Sequence, residues 1–302
     1  MGISVFPDDD QLFCGMIGTH GVKMANAAVN ECDVLFLVGA RVGDRAVKTP
    51  LALEKTTKII HIDIDPAEIG KNIGADLPLV GDAKLVLQQM TELAKPMKHD
   101  EWIAHIKTLG GERKYVEPAK GTVNPRVFID RLAKKMPANV TVVADVGQNQ
   151  IWTCTEYKFR KEGRLLTSGG MGTMGYSVPA AIGAKMADNS RATVAICGDG
   201  AFQMSFMELA TAVQFGVDIK VVVMTNNRLG MVRELQTNGY HDRQTAVFLD
   251  GSPDFIKLAE AYGIPAMRVY DDATMEKGVE MLAEHKGICL VEVVVDKDMP
   301  TL

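Results

Sequence analysis

The sequence is poor in cysteine, in aromatic residues and in long apolar runs, and each shortage closes off a class of protein. Five cysteines, Cys14, Cys32, Cys154, Cys197 and Cys289, are scattered over 302 residues. No two have the CxxC spacing and the count is odd, so reduced thiols in a cytoplasmic protein are expected rather than a disulfide framework. The longest apolar stretches, such as Val34–Ala40 and Ile219–Met224, have the length of strands and fall far short of a membrane span. The sequence does not open on a basic region followed by an apolar core, so no secretory signal is expected. Positive charge is not in excess: 33 Lys and Arg stand against 38 Asp and Glu, a formal net charge of −5. Nucleic acid and anionic membrane surfaces are therefore not expected as partners. The six histidines, among them His61 and His241, have no metal-ligand spacing such as HExxH, and no GxSxG elbow precedes a helix.

What is present is an ordinary globular composition, 47% apolar and 24% charged, over a length that suggests two domains. Short, nearly continuous apolar runs predict strands buried on both faces at Val34–Val38, Lys58–Ile64, Val140–Ala144, Ala192–Ile196, Ile219–Met224 and Ile288–Val295. Amphipathic segments between them predict helices at Ala83–Leu93, Pro125–Lys135, Phe206–Phe215, Asp254–Tyr262 and Ala273–Glu284. This alternation predicts an α/β protein of two doubly wound domains, with mainly parallel sheets and helices on both faces. The rhythm breaks where Pro96, Gly110, Gly111, Pro118 and Gly121 lie among many charges. The expected division is a first domain over 1–95, a linker over 96–121 with one helix around Trp102–Thr108, and a second domain over 122–302.

The most informative stretch has two halves, each following an apolar strand: Cys197-Gly-Asp-Gly-Ala-Phe-Gln and Thr225-Asn-Asn-Arg-Leu-Gly-Met. Carboxyl ends of parallel strands are where α/β sheets bind ligands. Gly198 and Gly200 allow a tight turn and a close approach to phosphate. Asp199 offers a hard oxygen ligand and Asn226 a neutral one. One carboxylate, one amide and a backbone carbonyl set against a diphosphate suit Mg²⁺, which otherwise keeps phosphate oxygens and water. A plain turn followed by a strand end is the competing reading.

These residues resemble the thiamine-diphosphate motif, which opens on Gly-Asp-Gly and closes on Asn-Asn. Val146-Gly-Gln-Asn-Gln-Ile-Trp, Ser168-Gly-Gly-Met-Gly-Thr-Met-Gly-Tyr, Gly230-Met-Val-Arg and Pro253-Asp-Phe-Ile-Lys-Leu-Ala-Glu-Ala-Tyr-Gly extend the resemblance to the acetolactate synthase family. The resemblance implies that Asp199, Asn226 and the carbonyl of Arg228 bind Mg²⁺. That family's Asn-Asn pair usually stands one position earlier relative to Gly-Met-Val; the spacing from Asp199 favours Asn226 as ligand, with Asn227 second. The resemblance places Val146, Gly147, Gln148, Asn149, Gly172, Gly198, Gly200, Ala201, Gly230 and Met231 around thiamine diphosphate. Met174 would be the wedge that bends the cofactor. Met231 and Leu235 would line the reaction pocket.

In the first domain, Gly15-Met-Ile-Gly-Thr-His-Gly, Val38-Gly-Ala-Arg-Val-Gly-Asp-Arg and His61-Ile-Asp-Ile-Asp-Pro form a second set. Glycine-rich turns after strands admit a dinucleotide, but the Rossmann fingerprint is absent, so spacing alone also fits ordinary strand–helix turns. The same segments resemble the middle domain of acetolactate synthases, which implies FAD in a structural role. Thr19, His20, Gly39, Ala40, Arg41, Arg45, Asp63, Ile64 and Asp82 match positions near the flavin, and Arg45 also matches an arginine close to the substrate carboxylate.

The implied reaction is decarboxylating condensation of two 2-keto acids, pyruvate giving 2-acetolactate, in branched-chain amino acid biosynthesis. Nothing in the sequence matches the family's N-terminal pyrimidine-binding domain, which carries the activating glutamate. The chain is expected to be a truncation or one half of a split enzyme, and inactive alone. A homo-oligomer and a regulatory subunit are further expectations of the resemblance. Two residues depart from the pattern: Leu235 stands where a tryptophan is common, and Asn149 where a histidine is common. The alternatives are another thiamine-diphosphate lyase, such as a glyoxylate carboligase or 2-keto acid decarboxylase, and a non-catalytic cofactor-binding or subunit-interaction module.

Overall fold

The computed structural model describes residues 2–111 and 115–302; residue 1 and residues 112–114, which fall in the expected first domain and linker, lie outside the described residues. The chain forms two compact units, one of Cys14–Arg113 and one combining Met1–Phe13 with Lys114–Leu302.

The unit of Cys14–Arg113 runs α1 (Lys23–Glu31), β1 (Val34–Val38), α2 (Pro50–Leu53), β2 (Lys58–Asp63), β3 (Leu77–Val80), α3 (Ala83–Leu93) and α4 (Asp100–Leu109). Its three strands are parallel and lie in sequence order, β1-β2-β3. One face is covered by Leu37, Val42, Leu53, Ile59 and Ile73, which form a small core. On the other face Val34, Phe36, Val38 and Leu77 remain exposed. The stretch expected as a linker instead contributes α4 to this unit. Ile106 is buried, and the His105 imidazole lies 2.6 Å from the Glu31 carboxylate on α1. One buried residue and one exposed ion pair on a helix are hard to see among so many charges.

The larger unit continues with α5 (Pro125–Lys135), β4 (Thr141–Ala144), α6 (Gln148–Glu156), β5 (Arg164–Thr167), α7 (Ser177–Ala187), β6 (Thr193–Gly198), α8 (Asp199–Gln203) and α9 (Leu209–Gln214). It closes with β7 (Lys220–Thr225), α10 (Gly230–Gly239), α11 (Phe255–Ala261), β8 (Ala266–Val269), α12 (Asp272–Glu284) and β9 (Cys289–Val294). The six strands are all parallel in the order β5-β4-β6-β7-β9-β8. From β4 the chain first adds β5 on one side, then returns to add β6 on the other. The sheet is therefore doubly wound, with a topological switch point between β4 and β6. The central strands β4 and β7 are buried at every residue. One core joins Val143, Ala195, Val221 and Leu290 of the sheet to Val178 and Ile182 of α7, Phe202 of α8 and Phe255 of α11.

The first residues belong to this larger unit. Ile3 is buried, the Leu165 N–H donates to Ser4 Oγ at 2.9 Å, and the Asp8 N–H donates to the Phe159 carbonyl at 2.8 Å. The Asp8 carboxylate accepts from the Phe159 N–H, but its Oδ1 is buried without a partner among the described residues. Burial accordingly raises the Asp8 pKa to about 6. A carboxyl whose folded pKa is raised binds its proton more tightly in the folded state. Stability is thus lost as pH rises from the ordinary carboxylate range through 6. Asp8→Asn should melt higher than the native chain at pH 8 and close to it at pH 4.5; thermal melts at the two pH values check this.

Candidate functional site

Parallel register brings the two halves of the glycine–aspartate motif together. Gly198 at the end of β6 pairs with Met224 near the end of β7, so Asp199 and Asn226 emerge side by side from neighbouring strands. The contact is direct. Asp199 Oδ2 accepts from the N–H groups of Asn226 at 3.1 Å and Asn227 at 2.6 Å, and Oδ1 accepts from the Gly200 N–H at 2.8 Å. Asn227 holds a positive φ of 53°, a conformation asparagine tolerates better than most residues. This turn leaves the Arg228 carbonyl with no backbone donor among the described residues.

Both motif halves face a cleft at the switch point, of about 620 Å³ including its open mouth. The expected residues Val146, Gly147, Gln148, Asn149, Met174, Gly198, Asp199, Gly200, Ala201, Asn226, Arg228, Gly230 and Met231 all line it. Trp152, Met224, Leu229 and Val232 line it too, and were not expected to. Trp152 and Leu229 sit inside the quoted motifs, so position in the motif was the available signal. The helices α6 and α10 begin at the cleft, at Gln148 and Gly230, and helix N-termini favour an anion. Gly172 and Leu235 do not line the cleft. Gly172 is exposed with φ 70°, and Leu235 is 61% exposed on α10.

Two glycines of the cleft leave no room for a side chain. A Cβ at Gly200 would stand 2.8 Å from Leu229 Cδ2, and one at Gly230 only 1.8 Å from Gln148 Oε1. Gln148 is held firmly in place: Nε2 donates to the Met299 carbonyl at 2.9 Å, Thr301 Oγ1 at 3.1 Å and the Glu234 carboxylate at 3.3 Å. Thr301 in turn donates its hydroxyl to Glu234, and the Trp152 indole N–H donates to the Pro300 carbonyl at 3.1 Å. Asn149 is buried, and its amide donates to the carbonyls of Asp145 at 2.9 Å and Ile196 at 3.2 Å. It bridges the ends of β4 and β6. One neutral imidazole could not donate to both carbonyls.

Burial raises the Asp199 pKa to about 6, against the lowering effect of its three N–H donors. Two oxygens accept three N–H bonds, so lone pairs remain on the carboxylate that could face a cation. Among the described residues no three His, Cys, Asp or Glu side chains gather. A metal here would rest on one carboxylate, the Asn226 amide oxygen, the Arg228 carbonyl and a ligand's own oxygens. That donor set fits Mg²⁺ with a diphosphate.

In the smaller unit, several of the residues expected near a flavin stand at the carboxyl ends of the three strands. Gly39, Ala40 and Arg41 follow β1, Asp63 ends β2 with Ile64 just after it, and Asp82 follows β3 and caps α3 by accepting from the Leu85 N–H at 3.1 Å. Thr19 donates its N–H to the Arg45 carbonyl at 2.9 Å, with His20 next in sequence. Thr19, Gly39, Arg41, Arg45, Ile64 and Asp82 are exposed.

Comparison with known proteins agrees with this geometry. Residues 145–293 match the family "Thiamine pyrophosphate enzyme, C-terminal TPP binding domain", and residues 1–90 match "Thiamine pyrophosphate enzyme, central domain". A probable acetolactate synthase large subunit of Methanocaldococcus jannaschii is 40% identical over 98% of this chain and 52% of its own length. The acetolactate synthase large subunit of Lactococcus lactis is 36% identical over 98% of this chain and 52% of its own length. The isozyme 3 large subunit of Escherichia coli is 35% identical over 98% and 54%. The chain spans about half the length of these relatives. No helix among the described residues is long and apolar enough to cross a membrane. The chain therefore belongs to the thiamine pyrophosphate enzymes, carries matches to their central and C-terminal cofactor-binding domains, and is homologous to acetolactate synthase large subunits along nearly all of its length.

Proposed function

We propose that this chain is the cofactor-binding part of an acetolactate synthase catalytic subunit, acting on 2-keto acids. The observation that carries the reading is the convergence of Asp199 and Asn226 from adjacent strand ends with Gly147 and Gln148 in one cleft. Asp199, Asn226 and the Arg228 carbonyl would hold Mg²⁺. Gly147, Gln148, Gly200, Ala201 and the α10 N-terminus at Gly230 would hold the diphosphate. Bound there, thiamine diphosphate supplies a thiazolium that accepts electrons as a 2-keto acid loses carbon dioxide. The chain's own residues bind and orient. Met174 enters the cleft beside Gly200, with its methyl 3.4 Å from where a Cβ there would lie, and would set the bend of the cofactor. Met174, Met231, Leu229 and Val232 give the cleft an apolar wall against which the cofactor ring would pack.

Arg45 would meet a substrate carboxylate, and the strand-end residues of the smaller unit would bind FAD structurally. The convergence of Gly39, Asp63 and Asp82 at three neighbouring strand ends supports this. A homo-oligomer, a regulatory subunit, a separate pyrimidine-binding domain and a cytoplasmic location belong to the same proposal. The test mixes this chain with a separately produced pyrimidine-binding domain, pyruvate, Mg²⁺, thiamine diphosphate and FAD. Acetolactate should form only in the mixture. Acetaldehyde or tartronate semialdehyde from the matching substrates would assign a different lyase.

The raised Asp199 pKa sets a pH dependence. Mg²⁺ and a proton compete for the same carboxylate. The affinity for Mg²⁺–thiamine diphosphate should be nearly flat above pH 7 and fall, approaching about tenfold per unit, once pH drops below 6. Calorimetric titrations between pH 5 and 8 measure it. A flat profile across that range would remove Asp199 from the site.

A further inference from the structure

The buried carboxylate of Asp145 is not accounted for by metal or diphosphate binding. Asp145 follows β4 at the switch point and is wholly buried. Oδ1 accepts from its neighbour Val146 N–H at 2.8 Å and from Gly175 N–H at 3.0 Å; Oδ2 accepts from Ser177 N–H at 2.7 Å. Its backbone is equally committed. The N–H donates to the Ile196 carbonyl at 2.8 Å and the carbonyl accepts from the Asn149 amide. Ser177 is the first residue of the 11-residue helix α7, so the charge sits at a helix N-terminus, which offsets part of the cost of burying it.

Of the two distant donors, Gly175 belongs to the loop that carries Met174 and Ser177 opens the helix that follows it. The loop is tied at its start by the Gly172 N–H to the Ser168 carbonyl at 2.7 Å and the Thr173 N–H to Ser168 Oγ at 3.1 Å. Among the described residues, it is tied at its end through Gly175 and Ser177 to Asp145. Gly175 takes a positive φ of 83°, and a Cβ there would meet Met204 Cβ at 3.0 Å, so the chain passes through one narrow route. Val146, on the other wall of the cleft, hangs from the same carboxylate oxygen as Gly175. One side chain thus fixes the spacing between the Val146–Gln148 wall and the Met174 wall.

We propose that Asp145 is the positioning residue for Met174, setting the width of the cleft where the cofactor bends; the cofactor half of this statement rests on the function proposed above. Asparagine is nearly the same size as aspartate but has one acceptor oxygen, so in Asp145→Asn at least one of the two distant donors faces an amide NH₂.

The test labels the methionine methyls with ¹³C in the ligand-free 302-residue chain and assigns Met174 by its loss in Met174→Leu. In Asp145→Asn the Met174 signal should shift towards the position of a solvent-exposed methionine or split. Met275, buried in α12, serves as an internal control and should not move. Calorimetry should show Mg²⁺–thiamine diphosphate binding weakened about tenfold or more in Asp145→Asn, in line with loss of a buried hydrogen bond to a charged group. An unmoved Met174 signal in the folded variant overturns the positioning role, as would signals that move at Met275 as much as at Met174. A shifted Met174 with unchanged affinity in both Asp145→Asn and Met174→Ala upholds the positioning role and instead sinks the reading of Met174 as a cofactor contact. Should Asp145→Asn fail to fold, amide exchange in the native chain decides. Gly175 and Ser177 N–H groups should exchange at least about a hundredfold more slowly than Gly170 and Met171 in the loop, and equal rates overturn the proposal.

Discussion

Asp199→Ala is expected to weaken Mg²⁺-dependent thiamine diphosphate binding by about 10²-fold or more while the fold survives, because among the described residues no other carboxylate lines the cleft. Two effects combine. The metal loses its charged oxygen, and the N–H groups of Gly200, Asn226 and Asn227 lose their shared acceptor. The cleft is open, so water can satisfy the freed donors and the core below is untouched. Asp199→Asn separates the effects, since it keeps one acceptor oxygen but no charge; it should bind better than the alanine variant and worse than the native chain. Titration calorimetry with and without Mg²⁺ measures both. If Asp199→Ala bound the cofactor as tightly as the native chain, the metal assignment would fail.

Gly230→Ala should be nearly as damaging, for a steric reason. The new methyl would stand 1.8 Å from Gln148 Oε1. Gln148 is buried and cannot simply swing aside, because its amide holds the Met299 carbonyl, Thr301 and Glu234. Displacing it breaks these bonds at roughly 0.5–1.5 kcal/mol each, more where a partner is left buried. A loss of about 2–4 kcal/mol is expected, with weakened cofactor binding. Gly239 ends the same helix, and a Cβ there meets nothing within 4 Å. Gly239→Ala should therefore be neutral, or stabilising by up to about 1 kcal/mol. Thermal melts of the pair distinguish a helix-propensity effect from the clash, and a Gly230→Ala melt equal to the native one would contradict it.

The strands that sequence patterning located are mostly those with neighbours on both sides. β2, β4, β6, β7 and β9 are interior, and the apolar runs of β4, β6, β7 and β9 are nearly unbroken because both faces are covered. The three strands it missed, β3, β5 and β8, are all edges. Each has four residues, most of them not fully buried, and β3 contains Pro78. Edge strands are short and partly polar as a rule, so they give no run to detect. Helix α6 was missed for the opposite reason. Gln148, Asn149 and Glu156 are buried polar residues with partners far along the chain, and buried Thr153 and Thr155 donate back to carbonyls one turn earlier, so no amphipathic stripe forms. Helix α7 hides behind Pro179 and Gly183 among small residues.

For the site, motifs with fixed spacing were legible and tertiary partners were not. Asp199 and Asn226 are read from glycines and strand ends. Asp145 was not, because a buried carboxylate satisfied by backbone N–H groups 30 and 32 residues away leaves no local pattern. The locking of Gln148 by Met299 and Thr301 spans 151 and 153 residues and is equally invisible in sequence. Leu235 shows the converse: its motif is present, but α10 turns it away from the cleft lining.

The attachment of the first residues to β5 also sets an order of assembly. The bonds from Phe159 to Asp8 and from Leu165 to Ser4 join residues 151 and 161 apart in sequence. The unit of Cys14–Arg113 is threaded between them as an insertion. During synthesis that inserted unit is complete before Leu165 has been made, so it can fold while residues 2–13 have nothing to dock on. Closing so large a loop carries an entropic cost that only a finished β4–β5 edge can offset. The N-terminal residues should therefore be among the last to gain protection in a refolding experiment and among the first to lose it.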